Sequence, residues 1–304
     1  MEYSFDNLKN KYKNIPCIIV SPGPKLKQFN FKKFKGKILC IGDSILRGRN
    51  IFNADFWVCA NNEFPNPNIH WHLRIINKFK RTFFVFSDTA LYDLVWQKSN
   101  YYLKKKLKVN WLAYDDRHIK KRKCNPENKC CNLLSIEKNK NNLTIQEYVS
   151  RMYNEKQICK PFGSTVAEKA LAFSLILGCN PIILHGVDLP EKIIHHNYYS
   201  DNYADQIMKK VSTETKKLNR RFYIKNLYFR EYLKEIKNKI RSIKEKKTIF
   251  GLTKKRTLKN FQILFNIAKK NNVKIISLSE KSSLMKLKNI QYKSWKSLDE
   301  KYFI

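Results

Sequence analysis

Three small or polar residues, Gly163, Ser164 and Thr165, precede a long apolar run and have the composition of an anion-binding helix start. Thr165 and Glu168 stand at the spacing of a capping box, T-x-x-E, so the sequence predicts a helix that begins at about Val166. The first N–H groups of an α-helix lack intrahelical acceptors and carry a partial positive charge. These residues are therefore expected to hold an anionic group such as a phosphate.

The chain after this helix predicts a buried strand that ends in polar residues. Gly178 suits a left-handed helix cap, and residues 181–184 form a short apolar run typical of a strand buried on both faces of a parallel sheet. Open α/β sheets bind ligands beyond the C-terminal ends of their strands. Gly186 and Asp188 are therefore candidates for the same site, whereas His185, which adjoins the apolar run, is expected to be packed.

A second glycine-containing turn, Ser21-Pro22-Gly23-Pro24, directly follows the first predicted strand. A glycine there lets the backbone approach a phosphate or a ribose closely. The turn matches neither the dinucleotide-binding fingerprint nor the Walker loop. A simple connection after a strand therefore remains the alternative interpretation.

The elements that must position these groups follow from repeated short apolar runs, each leading into small or polar residues. These runs are residues 16–20, 37–41, 55–59, 82–86, 109–113 and 273–276. They predict an α/β fold, a Rossmann-like, mostly parallel sheet flanked by helices. Leu258–Lys270 is predicted as an amphipathic helix before the last strand. We expect one domain over 1–285, with a loop insertion at 119–150 and a C-terminal tail at 286–304.

Net charge is the strongest signal in the composition. The chain carries 61 Lys and Arg against 25 Asp and Glu, a formal charge of +36. Such a field attracts polyanions, although codon bias in an AT-rich genome is an equal explanation. Lys209–Asn260 alone holds 19 Lys and Arg against four Glu, interleaved with aromatic residues. A basic helical lid or arm at 190–257, inserted before the last helix–strand unit, is predicted, and an anionic membrane surface or a charged acceptor glycan is its expected partner.

Other classes of site are disfavoured by spacing. His118 with Cys124, Cys130 and Cys131 lacks the paired C-x2-C spacing of zinc sites, so no metal is predicted. The isolated cysteines in apolar runs are expected to be reduced core residues. No apolar run is long enough for a membrane span, and no signal peptide is evident. A cytoplasmic protein is expected, with attachment to the inner face of the cytoplasmic membrane as a further expectation.

Three segments, in order along the chain, resemble motifs of the bacterial lipooligosaccharide sialyltransferases (glycosyltransferase family 42) and of the related domain in flagellin glycosyltransferases and hydroxymethylpterin diphosphokinase-like proteins. Residues 18–26, IIVSPGPKL, resemble the first-strand motif of that family. Residues 163–189 resemble its central helix–strand segment, which ends in G-[IV]-D. Residues 273–284, VKIISLSEKSSL, resemble its last strand.

The resemblance implies a CMP-sugar donor bound at the C-terminal edge of the sheet, without a metal or other cofactor. It implies nucleotide contacts from residues that follow the strands or begin the central helix: Ser21, Gly23, Pro24, Asp43, Ser44, Asn61, Asn62, Gly163, Ser164, Thr165, Gly186, Asp188 and Ser279. The family has asparagines after its second and third strands. Asn61 and Asn62 match the asparagine position after the third strand. After the second strand, this chain has Asp43 and Ser44 in place of asparagine.

Catalysis in that family uses tyrosine hydroxyls to steady the departing phosphate and a histidine as base. The tyrosines follow the G-[IV]-D strand, where this chain has Tyr198 and Tyr199, together with His195 and His196. The family's histidine precedes the final helix, and the corresponding residues 250–256 contain none. An imidazole titrates near neutral pH, so His195 and His196 become the candidates for the base.

The resulting hypothesis is a glycosyltransferase that moves a sugar, a nonulosonic acid of the sialic type, from a nucleotide donor to a surface glycan or glycoprotein. A diphosphokinase-like or flagellin-modifying enzyme on the same fold is the alternative within enzymes. A basic nucleic-acid-binding protein is the alternative from another class, disfavoured because the sequence shows no recognition motif. The oligomeric state is not predicted.

Overall fold

The computed structural model describes residues 8–23, 26–59, 75–76, 78–87, 110–114, 165–188, 201–207, 209 and 249–303. Its centre is one parallel sheet with the strand order β5-β4-β3-β2-β1-β6-β7-β8. The strands are β1 (Cys17–Val20), β2 (Lys37–Ile41), β3 (Phe56–Cys59), β4 (Phe83–Ser87), β5 (Trp111–Tyr114), β6 (Ile182–His185), β7 (Ile275–Ser277) and β8 (Gln291–Tyr292). The predicted α/β fold with a parallel, Rossmann-like sheet is confirmed.

Three α-helices and several single turns accompany the described strands. The helices are α1 (Ser44–Arg47), α2 (Val166–Ile176) and α3 (Ile249–Lys270), and residues 202–207 are also helical. Short 3-10 turns lie at Leu26–Gln28, Phe31–Lys33, Ser283–Lys286, Trp295–Ser297 and Glu300–Tyr302. Helix α2 begins where the capping box predicts, and Gly178 beyond its end has a φ of 78°, as a left-handed cap requires.

The sheet is covered on both faces, which explains why its central strands are continuous apolar runs. All residues of β1, β3 and β6 are buried. Helices α2 and α3 pack on one face. The segment 26–34, α1, residues 75–76 and 201–207, and the C-terminal turns pack on the other. Alternation of polar and apolar residues is absent because neither face of these strands reaches water.

Helix α3 begins nine residues before the predicted start at Leu258. Residues 250–256, which were expected to precede the final helix, are therefore part of it. That stretch contains no proline, and its one glycine, Gly251, costs only about 1 kcal/mol in a helix interior. A helix of 22 residues tolerates this cost because its later turns are anchored in the core by side chains such as Phe261 and Phe265.

The C-terminal residues, predicted as a tail, belong to the fold. Residues 291–292 add β8 beside β7. Leu298 and Tyr302 are buried in the core on the face of the sheet opposite α2 and α3. The Lys35 N–H donates to the Tyr302 carbonyl at 2.9 Å, which fixes the last turn against the start of the chain. This pairing joins residues far apart in sequence, so no local pattern predicts it.

Two further expectations concern the core and the membrane. Cys17, Cys40, Cys59 and Cys179 are free thiols and are buried, as predicted for core residues. Burial raises the pKa of the Cys40 thiol well above its ordinary value. Within the described ranges, no helix combines the length and the apolar character needed to cross a bilayer. The 119–150 insertion and most of the 190–257 lid lie outside the described residues.

Candidate functional site at the carboxyl edge of the sheet

The chain reverses its direction of travel across the sheet between β1 and β6. Strands β2 to β5 extend to one side of β1, and β6 to β8 extend to the other side. The connections leaving β1 and β6 therefore lead to opposite sides of the sheet, and open α/β sheets bind ligands in the crevice beyond the ends of two such strands. The residues that follow the two strands there are Ser21 and Gly23 after β1 and Gly186 and Asp188 after β6, and their position is called the crevice below.

The two glycines let these connections approach each other closely. Ser21 N–H donates to the His185 carbonyl at 2.9 Å, which continues the β1–β6 pairing by one residue. Gly186 has a φ of 69°, and a Cβ on it would lie 3.1 Å from the Ser21 oxygen and 3.2 Å from the Gly23 nitrogen. A Cβ on Gly23 would lie 3.0 Å from the Gly186 Cα. The backbone contact that closes the floor of the crevice thus leaves little room for a side chain on either glycine.

Gly186→Ala is expected to lower the free energy of unfolding by about 1 to 3 kcal/mol, because alanine is strained at positive φ and its methyl group meets the Ser21–Gly23 turn. Gly42→Ala is the matched control: Gly42 has a φ of 56° with nothing within 4 Å of its added Cβ, so it reports the backbone strain alone. Urea denaturation of both variants measures the difference. Equal losses would show that the close contact at Gly186 is unimportant.

Helix α2 presents its start at the same edge of the sheet. Phe173, near the end of α2, contacts Phe56 at the start of β3 with ring centroids 5.5 Å apart. Ser174 Oγ lies 3.6 Å from the sulfur of Cys17, the first residue of β1. The last turns of α2 therefore lie over the beginnings of the strands. Because the helix runs antiparallel to them, Thr165 at its start lies toward the carboxyl edge.

The helix start is fixed by reciprocal hydrogen bonds and by a contact from α3. The Glu168 N–H donates to Thr165 Oγ1, and the Thr165 N–H donates to Glu168 Oε2, each at 3.4 Å. The same carboxylate oxygen accepts from Asn260 Nδ2 of α3, also at 3.4 Å. Glu168 is fully buried. The predicted capping box is thus present and is supported by a residue that the sequence pattern does not reveal.

The residues after β2 are occupied by contacts within the protein. Ser44 is fully buried, and its hydroxyl lies 2.8 Å from the carbonyl oxygens of both Val20 and Ile41, to either of which its one proton can be donated. Asp43 Oδ2 accepts from Arg47 Nε at 2.6 Å. Ser44 therefore ties the ends of β1 and β2 together, and in this arrangement it presents no surface to a ligand.

Residues 201–207 dock on α1 and the turn after it. Arg47 Nη1 donates to Asp205 at 2.8 Å, and Arg49 Nη1 donates to Asp201. Burial opposes the charge of Asp201, but the Ala204 N–H and Arg49 outweigh this and hold its pKa below the ordinary value. The Asp201 contribution to stability is therefore complete above the ordinary pKa and is lost as pH falls through the folded value.

Beneath these ion pairs, Ala204 and Ile207 of the same segment are buried in the core. The Tyr203 ring is half-exposed and contacts two cations, with Arg49 4.5 Å and Lys78 4.0 Å from its centroid. The segment thus has both an apolar and an electrostatic attachment.

Eight of the predicted nucleotide contacts fall on described residues, including the buried Ser44. Ser21, Gly23 and Gly186 are in contact at the crevice, and Asp188, two residues after Gly186, is exposed. Thr165, Asp43 and Ser279 belong to the same edge, and the Ser279 N–H donates to Ser277 Oγ at 3.1 Å. The other predicted site residues lie outside the described residues. They are Pro24, Asn61, Asn62, Gly163, Ser164, His195, His196, Tyr198 and Tyr199.

His185, the other histidine near the crevice, is packed as predicted. Its side chain is 4% exposed, and its ring lies among aromatic residues of the segment after β1, 5.8 Å from Phe31 and 6.1 Å from Phe29 between centroids. Among the described residues, no group of three His, Cys, Asp or Glu could hold a metal ion.

Three residues that sequence reasoning missed shape this edge. Arg47 and Arg49 bind carboxylates 158 and 152 residues away along the chain. Ser282 Oγ donates to the Val187 carbonyl at 3.3 Å and holds the turn after β6. Among the contacts of these residues, only the ion pair of Arg47 with Asp43 could have been expected from the sequence, because the two residues stand at i,i+4 spacing.

Comparison with known proteins gives distant likenesses only. No family model matches the chain, and no curated protein matches it. The MAf glycosyltransferase of Magnetospirillum magneticum AMB-1 is similar at 12% identity and a TM-score of 0.48, over 96% of this chain but only 36% of that one. The Campylobacter jejuni sialyltransferase CstII, solved with cytidine-5'-monophosphate, is similar at 11% identity and a TM-score of 0.43, over 93% of this chain and 86% of that one.

An alpha-2,3-sialyltransferase from Campylobacter jejuni, solved in apo form, is similar at 13% identity and a TM-score of 0.40, over 92% of this chain and 82% of that one. Likenesses this distant carry no conclusion about what this chain binds or does. Its fold is established by its own strand order.

Proposed function

We propose that the chain is a glycosyltransferase that transfers a sugar, a sialic-type nonulosonic acid, from a CMP donor to a hydroxyl of a surface glycan or glycoprotein. The observation that carries the proposal is the glycine-floored crevice between the ends of β1 and β6. Its walls, Ser21–Gly23 and Gly186–Asp188, are the segments that resemble the sialyltransferase motifs. The names of the similar solved structures agree with this proposal without adding weight to it.

The phosphate of the donor would lie at the start of α2. Helix geometry leaves the first N–H groups without intrahelical acceptors. The capping box uses the Glu168 N–H, so those of Val166 and Ala167 are available to an anion. The buried Glu168 carboxylate opposes an anion there. Its charge is dispersed by hydrogen bonds from the Thr165 N–H and from Asn260.

Transfer would proceed by direct displacement without a metal. The acceptor hydroxyl oxygen forms a bond to the anomeric carbon of the sugar, the bond from that carbon to the phosphate oxygen breaks, and CMP leaves. In the proposal His195 or His196 takes the hydroxyl proton, and Tyr198 and Tyr199 steady the departing phosphate. These residues follow Asp188, which lies at the crevice.

The place of reaction is also part of the proposal. A cytoplasmic enzyme attached to the inner face of the membrane would meet both a nucleotide sugar and a lipid-linked or protein acceptor. The 19 Lys and Arg of Lys209–Asn260 are the proposed attachment, since each basic residue near an anionic surface contributes about 1 kcal/mol.

Ser164→Trp is expected to abolish CMP binding without changing the midpoint of thermal unfolding. In the proposal the donor phosphate lies in front of the α2 start, so a bulky indole two residues before that start is expected to exclude it. Titration calorimetry with CMP measures the affinity. Lys288→Trp is the control, because Lys288 is exposed before β8, at the opposite edge of the sheet.

If Ser164→Trp binds CMP as tightly as the parent, the donor site is misplaced. Oligonucleotide titrations at two salt concentrations test the nucleic-acid alternative, whose affinity should fall steeply with salt. A screen of nucleotide sugars that detects the released nucleotide identifies the donor.

A further inference from the structure

A second concave site lies at the amino edge of the sheet, opposite the crevice. It is a cavity of about 310 Å³ between the chain segments that enter β1, β6 and β7 and the last turn of the protein. Its lining residues are Asn14, Pro16, Asn180, Pro181, Lys274, Lys301 and Tyr302. This volume is at the lower end of the range for small-molecule sites. Nothing in the proposed transfer reaction uses it.

The walls are fixed by hydrogen bonds that do not involve the cavity itself. Asn180 is held at both ends of its amide, since Oδ1 accepts from the Lys274 N–H at 3.0 Å and Nδ2 donates to the Asn272 carbonyl at 3.2 Å. The Pro181 carbonyl accepts from the Cys17 N–H at 2.9 Å, and the Pro16 carbonyl accepts from Lys37 at 2.8 Å. The cavity is therefore preorganised, which lowers the entropy cost of binding.

The charge of the lining is positive. Lys274 and Lys301 are its charged members, and no carboxylate lines it. The nearby Asp299 carboxylate forms ion pairs with two lysines. Lys301 lies 3.4 Å and Lys293 lies 3.6 Å from its oxygens. The Tyr302 hydroxyl also binds Asp299, and burial together with this carboxylate raises the pKa of Tyr302 to about 12.

The negative end of α2 lies close to this edge, and it is covered by the protein. The carbonyls of Ile176, Leu177 and Gly178 accept hydrogen bonds from the N–H groups of residues 10, 12 and 14, at 2.9, 2.9 and 3.0 Å. Their partial negative charge is therefore satisfied and does not oppose an anion in the cavity.

The rest of the lining combines two polar residues, Asn14 and Asn180, with three residues that carry rings. Pro16 and Pro181 contribute two rings, and Tyr302, which is 7% exposed, contributes a third. Such surfaces favour the face of a planar ring. Two flexible ammonium groups beside them suit a dianion, since lysine binds phosphate as a point charge.

We infer that the cavity at the amino edge binds a small phosphomonoester that carries a planar ring, with Lys274 and Lys301 at the phosphate and the two proline rings at the planar part. This site is separate from the proposed donor site and does not depend on the transfer reaction.

Titration calorimetry with phenyl phosphate tests this site, with inorganic phosphate and phenol as the separate halves of the probe. Phenyl phosphate should bind more tightly than either half. Lys274→Gln/Lys301→Gln should weaken its binding by up to about tenfold, as expected for ion pairs made by two exposed lysines. The matched control Lys288→Gln/Lys296→Gln removes two exposed lysines elsewhere and should leave the affinity unchanged.

Three results would overturn the inference: no saturable binding of phenyl phosphate, equal affinity in the parent and Lys274→Gln/Lys301→Gln, or affinity no better than that of inorganic phosphate. Binding that is lost in Ser164→Trp but kept in the double lysine variant would place the probe in the crevice and also reject the inference. Thermal unfolding of each variant confirms that it is folded.

Discussion

Replacing both His195 and His196 with asparagine is expected to lower the rate of sugar transfer by roughly 10²- to 10⁴-fold, the usual effect of losing a general base. The acceptor hydroxyl must lose a proton as its oxygen bonds to the sugar. Asparagine keeps similar size and polarity but cannot accept that proton near neutral pH. Transfer is measured from nucleotide release under saturating donor.

The affinity for CMP is the internal control for this variant, since a base acting on the acceptor does not contact the nucleotide. The loss should therefore appear in kcat with little change in CMP binding. The single variants His195→Asn and His196→Asn should show which imidazole acts. Transfer at the parental rate in the double variant would remove both histidines from the mechanism.

Arg47→Ala is expected to lower the free energy of unfolding by about 3 to 5 kcal/mol, the usual result of breaking a buried ion pair. The Arg47 side chain is 4% exposed and binds Asp43, whose side chain is 11% exposed. Burial alone would lower the pKa of Arg47, but Asp43 and Asp205 outweigh it and raise the pKa, so the guanidinium stays charged. Its removal leaves the Asp43 carboxylate buried beside α1. Urea denaturation measures the loss.

Lys37→Met is the matched control, because the Lys37–Asp55 pair has a similar distance of 2.9 Å but side chains that are 29% and 31% exposed. Its loss should be less than about 1 kcal/mol. Adding Asp43→Asn to Arg47→Ala should recover part of the stability, since the stranded charge is removed. If Arg47→Ala costs no more than Lys37→Met, the buried pair does not anchor this region.

Local patterns predicted the elements of the described fold closely. The capping box of Thr165 and Glu168 and the glycine after α2 depend on residues within a few positions of each other, so the sequence determined where α2 begins and ends. Short apolar runs located β1 to β7 to within two residues. Burial on both faces of the sheet leaves a continuous apolar signal, which does not depend on which strands are neighbours.

The start of α3 and the role of the last residues escaped this reasoning for physical reasons. Residues 249–257 have mixed helix propensity, and tertiary packing of the later turns decides that the helix extends through them. The segment 291–303 has no continuous apolar run, yet its first residues pair with β7 and its Tyr302 carbonyl accepts a hydrogen bond from the Lys35 N–H. Neither partner is visible from within the segment.

The sequence by itself determined that this protein has a parallel α/β sheet with a polar helix start and glycine turns after β1 and β6. Only the tertiary structure decided that those two turns touch, since strand order is set by packing between distant segments. It also assigned Ser44 and Asp43 to internal contacts and joined Arg47 to Asp205, 158 residues away. Periodicity and capping act within a few residues, whereas a buried hydroxyl or charge takes whichever partner the folded chain brings within hydrogen-bonding distance.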